Sequence, residues 1–192
     1  LLLDYTLRCV RNIGGRSYDI IKTTDGFYLM AGGGIIKIDI NGNFIWNKSD
    51  TSLTNYDIFN IIETTDKNYL TGSEYWLTGQ PTLGLVTKID TSGNIIWKRS
   101  CAIDYPDRGL QHLKVAESGN YYFAAGHYYN ISEQRSMIGM LKLDESGKIL
   151  DTIKYPLEPK YPYYLIDIKP LSNNRLSSSP KFPVKSKNGY AA

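Results

Sequence analysis

One short pattern is written into the chain repeatedly, and it limits what the chain can fold into. Ile38-Asp39-x-x-Gly42-Asn43-x-x-Trp46 returns as Ile89-Asp90-x-x-Gly93-Asn94-x-x-Trp97, and a third copy runs Leu143-Asp144-x-x-Gly147-Lys148-Ile149-Leu150, read with Leu150 in the tryptophan's place. The glycines are 51 and 54 residues apart. Upstream of each copy lies a second shared stretch: Tyr18 to Gly32, Tyr56 to Gly72, and Leu110 to Gly126. Each period holds short runs of alternating apolar and polar residues, broken in the first repeat by Asp25-Gly26 and Asn41-Gly42. That is the pattern of strands joined by tight turns. A period near 50 residues holding four such runs is the size of one four-stranded blade.

The expected fold is therefore all-β: a β-propeller of four-stranded antiparallel blades, about three to four of them present. In the first repeat the strands are expected near 18–23, 27–32, 34–39 and 43–48. Blades are expected at 17–48, 56–99 and 108–154, a further blade begins at 163–176, and 177–192 reads as an irregular basic tail. Residues 1–11 read as the last strand of a preceding or closing blade, since Tyr5 to Cys9 aligns with Trp97 to Cys101. Two arrangements follow. Either the opening strand completes the fourth blade of a small ring, or the chain is a segment of a longer propeller.

Composition agrees with this class and removes others. Sixteen tyrosines and a hydrophobic share of 42% favour strands in a folded chain over a disordered one. The formal charge of +3 is spread along the sequence, apart from Lys181, Lys185 and Lys187, so no basic stripe points to nucleic acid. No apolar run approaches the ~20 residues of a membrane helix.

The Ile-Asp-x-x-Gly-Asn-x-x-Trp element resembles the blade repeat of secreted bacterial and archaeal propellers of the PQQ-like (pyrroloquinoline-quinone dehydrogenase) and WD40-like type. The resemblance spans roughly residues 5 to 170. It implies that Asp39, Asp90 and Asp144 cap turns, that Gly42, Gly93 and Gly147 supply their conformation, and that Trp46 and Trp97 dock between blades. It also implies an extracellular or cell-envelope location. The quinoprotein version spaces Asp and Gly differently, so no cofactor is expected.

Tests for catalytic chemistry return none. His112, on the first strand of repeat three, and His127, at the end of its second, have no nucleophile motif beside them. Gly32-Gly33-Gly34 stands between two strands and reads as a hairpin turn, not as a phosphate loop. One aspartate per turn falls short of the six to eight oxygens that calcium takes, so no metal is expected. Cys9 and Cys101 fall two blades apart, which predicts two free thiols.

In a four-stranded meander the second-to-third-strand turns and the inter-blade connections emerge on one face. Here those segments vary in length: 73–82, 101–108, 127–136 and 155–162. They carry Tyr75, Trp76, Tyr105, Arg108, His127, Tyr128, Tyr129 and Tyr161, side-chain types suited to hot spots and to stacking on sugars. The expected function is a non-catalytic binding or scaffolding module for a protein or glycan partner, joined to further blades or to itself. The alternative is a segment of a propeller enzyme, a quinoprotein dehydrogenase or a carbohydrate-active enzyme, whose active site lies largely outside this chain.

Overall fold

The repeated turn is built the same way three times. The Oδ1 of Asp39 accepts hydrogen bonds from the backbone N–H groups of Asn41 and Asn43, both at 2.8 Å. Asp90 does the same for Ser92 and Asn94, and Asp144 for Ser146 and Lys148. Each carboxylate thus satisfies the donors of a tight turn. These bonds hold the three carboxyls below their ordinary range, led by the Asn43 side chain at Asp39, the Asn94 backbone at Asp90 and the Ser146 side chain at Asp144. The turn closes at φ of +81°, +81° and +78° on Gly42, Gly93 and Gly147, a backbone region open to glycine.

The computed structural model describes residues 16–48, 56–76, 82–104, 108–130, 132–156, 164–171 and 175–181. Strands β1 (Ser17–Lys22), β2 (Tyr28–Gly32), β3 (Ile35–Ile38) and β4 (Phe44–Lys48) form the first blade. The second is β5 (Tyr56–Glu63), β6 (Tyr69–Tyr75), β7 (Leu83–Ile89) and β8 (Ile95–Ser100). A small ribbon follows, β9 (Ala102–Asp104) with β10 (Arg108–Gly109), and then the third blade: β11 (Gln111–Ser118), β12 (Tyr121–Asn130), β13 (Arg135–Leu143) and β14 (Ile149–Pro156). The last pair is β15 (Tyr164–Leu171) with β16 (Arg175–Lys181). Every pairing is antiparallel between sequential strands, so the fold is an all-β array of propeller blades.

The cores lie between blades. Leu29, Ala31 and Ile35 of the first blade meet Ile58, Ile61, Tyr69 and Ile89 of the second. Leu70 and Val86, on the second blade's other face, meet Leu113, Val115, Tyr122, Leu141 and Leu143 of the third. Phe123 and Ala125 meet Ile168 of β15. The fourth strands are the outer rim: every residue of β14 is exposed, as are most of β4 and β8.

Polar latches repeat across the first two of these spaces. The indole N–H of Trp46 donates to the Thr91 carbonyl in the next blade's turn, and that of Trp97 to Glu145. The ring of Trp97 lies so close to Gly147 that a Cβ there would sit 2.8 Å from it. Lys37 donates to Asp25 and to the Tyr69 hydroxyl across the gap, as Lys88 does to Asp66 and Tyr122. Burial works against the charge on both lysines, but these bonds outweigh it and raise their pKa values. Burial likewise works to raise the Asp66 carboxyl, yet the bonds from Lys88, Thr64 and Asn68 hold it well below the usual carboxylate range. In the same turns, Thr24 beside Asp25 donates to Glu63, and Thr65 beside Asp66 donates to Glu117.

Two expectations need correcting. Leu150 does not take the tryptophan's place: Asp151 pairs with Lys142 as Trp97 pairs with Lys88, because the glycine-to-tryptophan spacing is four. The irregular tail does not begin at 177, since β16 runs to Lys181; its backbone pairing needs no alternation of side chains, and Pro180 sits on a strand paired only with β15 among the described residues. Cys101 stands one residue beyond β8. It is a free, fully buried thiol whose pKa burial pushes up to about 12, while Cys9 lies outside the described residues.

Candidate functional site at the inner strands

Each blade's innermost strand carries a β-bulge near its start, and each bulge holds a ring. The register slips between Ser17 and Asp19, between Ile58 and Asn60, and between Gln111 and Lys114. The residues released from pairing include Tyr18, Phe59 and His112. A bulge bends its strand and re-aims the extra side chain, here toward the point where the three inner strands converge. Tyr18 and Phe59 have ring centroids 4.8 Å apart, Phe59 and His112 4.7 Å, and His112 stacks on His127 at 5.0 Å. The residue following each of the first two bulges secures the neighbouring one. Asp19 accepts the Ile61 N–H at 3.0 Å, and Asn60 accepts the Val115 N–H at 2.8 Å.

Beside this run of rings opens a cleft of about 620 Å³ lined by Arg16, Tyr18, Asp57, Phe59, Glu74, Trp76, Thr82 and His112. Asp57 and Glu74 are direct cross-strand partners on β5 and β6, so their side chains leave the sheet on one face. Asp57 accepts the Tyr18 hydroxyl at 3.1 Å, and Glu74 accepts the backbone N–H of His112 at 3.1 Å. That second bond pins a strained residue: His112 has φ of +50°, a conformation uncommon outside glycine that accumulates at functional sites. The Arg16 guanidinium has its pKa raised by hydrogen bonding to Tyr18 and then by the nearby Asp57 charge. Burial, and then the neighbouring His112, lowers the His127 pKa to about 4, so its ring is neutral at ordinary pH.

No family model matches the chain, and no curated protein matches it in sequence. Among solved structures it is similar to a protein from Bifidobacterium bifidum s17 provisionally described as an exo-beta-1,3-galactanase, with a TM-score of 0.49 and 13% identity over 80% of this chain. The present chain spans a little over half of that protein, 56%. It is also similar to an exo-1,5-alpha-L-arabinanase from a bovine ruminal metagenomic library, with a TM-score of 0.47 and 12% identity, covering 93% of this chain and 73% of the other.

Of the residues expected from sequence to bind a ligand, Trp76 alone lines the cleft. Tyr75, half-buried, ends β6 one residue before it. His127, Tyr128 and Tyr129 are not in a loop, because β12 continues to Asn130. Tyr128 is a correction: it is 1% exposed and belongs to the core between the second and third blades, where apolar neighbours cover its ring. His127 backs His112, and Tyr129, two residues on along the same face of β12, is exposed. Arg108 opens β10, while Tyr105 and Tyr161 lie outside the described residues. Sequence reading missed Tyr18, Asp57, Phe59 and Glu74. The available signal was an aromatic residue immediately before a polar one on successive inner strands, Tyr18-Asp19 and Phe59-Asn60.

Among the described residues no group of three or more His, Cys, Asp or Glu is placed to hold a metal ion. No helix of the described chain is long and apolar enough to cross a membrane.

Proposed function

We propose that this chain is a glycan-recognition module whose ligand occupies the cleft at the inner strands. The carrying observation is the convergence there of aromatic rings, an arginine and two carboxylates. A sugar presents apolar C–H faces that suit rings such as Tyr18 and Trp76, and hydroxyl donors that suit Asp57 and Glu74. A concave cleft lined by rings with a few fixed polar groups is the usual form of a small-ligand site. The resemblance of the repeat to secreted propellers supports a location in the envelope or outside the cell.

The test is a titration of the 192-residue chain with a panel of neutral pentose and hexose oligosaccharides, followed by calorimetry. At least one should bind saturably, and Trp76→Ala should weaken it about tenfold with little change in melting temperature. A folded chain that binds none of them, or binding indifferent to both Trp76→Ala and Asp57→Asn, would end the proposal.

A second reading rests on the pairing of Asp57 with Glu74. Two carboxyl groups facing one cleft are the equipment of glycoside hydrolysis, one protonating the leaving oxygen and the other assisting attack. Release of new reducing ends from the bound oligosaccharide, abolished by Glu74→Gln with binding retained, would favour the enzyme over the binding module.

A further inference from the structure

The second blade departs from its neighbours at one inward-facing pair. Equivalent register positions hold Met30 opposite Ile36 in the first blade and Ala124 opposite Leu141 in the third. In the second they hold Thr71 opposite Thr87. Both threonines are buried, at 0% and 4% exposure, in the space between the first and second blades. The Thr71 hydroxyl donates to the Thr87 carbonyl, and nearby Ser73 bonds the Tyr56 hydroxyl. The Thr87 hydroxyl has no hydrogen-bond partner among the described residues. Leaving such a group unsatisfied costs about 1–3 kcal/mol, so a polar pair where the sister blades are apolar asks for an explanation.

The explanation lies beside it. Thr71 and Thr87 line a cavity of about 230 Å³ whose apolar walls come from Ile35, Ile58 and Ile89. An apolar cavity of about 150 Å³ holds one benzene ring, so this one admits a ring with a substituent at each end. Ile95 and Lys48, both exposed, mark the mouth, and half-buried Lys98, across β7–β8 from Thr87, reaches the same lining. A change of χ1 rotamer turns the Thr87 hydroxyl to another staggered position, which lets an incoming oxygen draw it toward the cavity.

We propose that this inter-blade cavity binds a small hydroxyaryl carboxylate. Its ring lies among the isoleucines, its hydroxyl meets Thr87 at the inner end, and its carboxylate lies between Lys48 and Lys98 at the mouth. The site is separate from the cleft at the inner strands and does not depend on the glycan reading.

The experiment uses 4-hydroxybenzoate as the probe, with benzoate and 4-hydroxybenzyl alcohol as analogues lacking one end each. Heteronuclear NMR of the whole chain should show saturable shifts at Ile35, Ile58, Thr87 and Ile89 with 4-hydroxybenzoate. Thr87→Val, which restores the apolar character of the sister blades and should fold, should weaken 4-hydroxybenzoate about tenfold and leave benzoate unchanged. Joint replacement Lys48→Gln and Lys98→Gln should weaken both acids and spare the alcohol. The proposal is overturned by the absence of saturable shifts at about 1 mM probe, by shifts confined to other surfaces, or by equal 4-hydroxybenzoate affinity in Thr87→Val. It is also overturned if a crystal grown with the probe holds only water beside Thr87. Trp76→Ala serves as the control, since it should affect glycan binding alone.

Discussion

The gap between the first and second blades and the gap between the second and third are spanned by the same latches but filled in different ways. Both have a tryptophan on the next blade's turn, a lysine shared between an aspartate and a tyrosine, and a threonine held by a glutamate. The second gap is then plugged. Cys101 and Leu110, both fully buried, enter it from either side of the β9–β10 ribbon, fixed by bonds from Cys101 to Gly84 and from Leu110 to Cys101. The first gap keeps its threonines and its cavity. Blade spacing is therefore set by the shared polar latches, and the infill can vary from one gap to the next.

The largest effect should come from pulling the plug. Leu110→Ala leaves a hole in a fully buried position and should cost about 3 kcal/mol, read as a shift in the urea midpoint. A loss below about 1 kcal/mol would mean that the latches alone hold the third blade in place.

A smaller effect should come from the latch itself. Asp66→Asn leaves Lys88 with Tyr122 as its remaining partner and should cost about 1–2 kcal/mol at neutral pH, a figure reduced by the partial exposure of Asp66. The carboxyl's folded pKa is depressed, so its contribution is present above an ordinary carboxyl pKa of about 4 and is lost as pH falls through the folded value. The difference between parent and variant should therefore shrink in urea titrations below that pH. The same experiment on Asp25→Asn should show the matching trend in the first gap, and a difference that stays constant with pH would show that the ion pairs do not govern blade docking.

The smallest effect, and opposite in sign, is expected for Thr87→Val. Removing an unsatisfied buried hydroxyl should raise stability by up to about 1 kcal/mol, measured by thermal melting of the free chain. A fall of that size would show that the hydroxyl already has a partner.

The repeat made most of the fold legible. Asp39, Gly42 and Trp46, with their later counterparts, are local signals: a cap, a turn and an aromatic at fixed spacing, each decided by a few neighbouring residues. Strand positions in the first repeat were equally local. The cleft was not legible, because it depends on bulges, and a bulge is a mismatch between two strands that neither strand's sequence announces. Phe59 looks like one more residue in an alternating run until β6 is laid against it. Tyr128 misled for a related reason. A cluster of tyrosines after a strand reads as a loop, whereas β12 runs on and turns that ring into the core. Asp151 was a matter of counting, since apolar Leu150 is the more tempting heir to a tryptophan.

The latches also have a direction. The first and second blades offer tryptophan, lysine and threonine on the side toward their successors, and the second and third receive them with a turn carbonyl, a tyrosine and a glutamate on the side toward their predecessors. Plug and socket are thus opposite faces of the second blade, a head-to-tail joint. Such a joint has no means of counting. How many units close a ring is decided by the wedge angle of each blade, so a duplicated second blade would arrive with both of its joints already made.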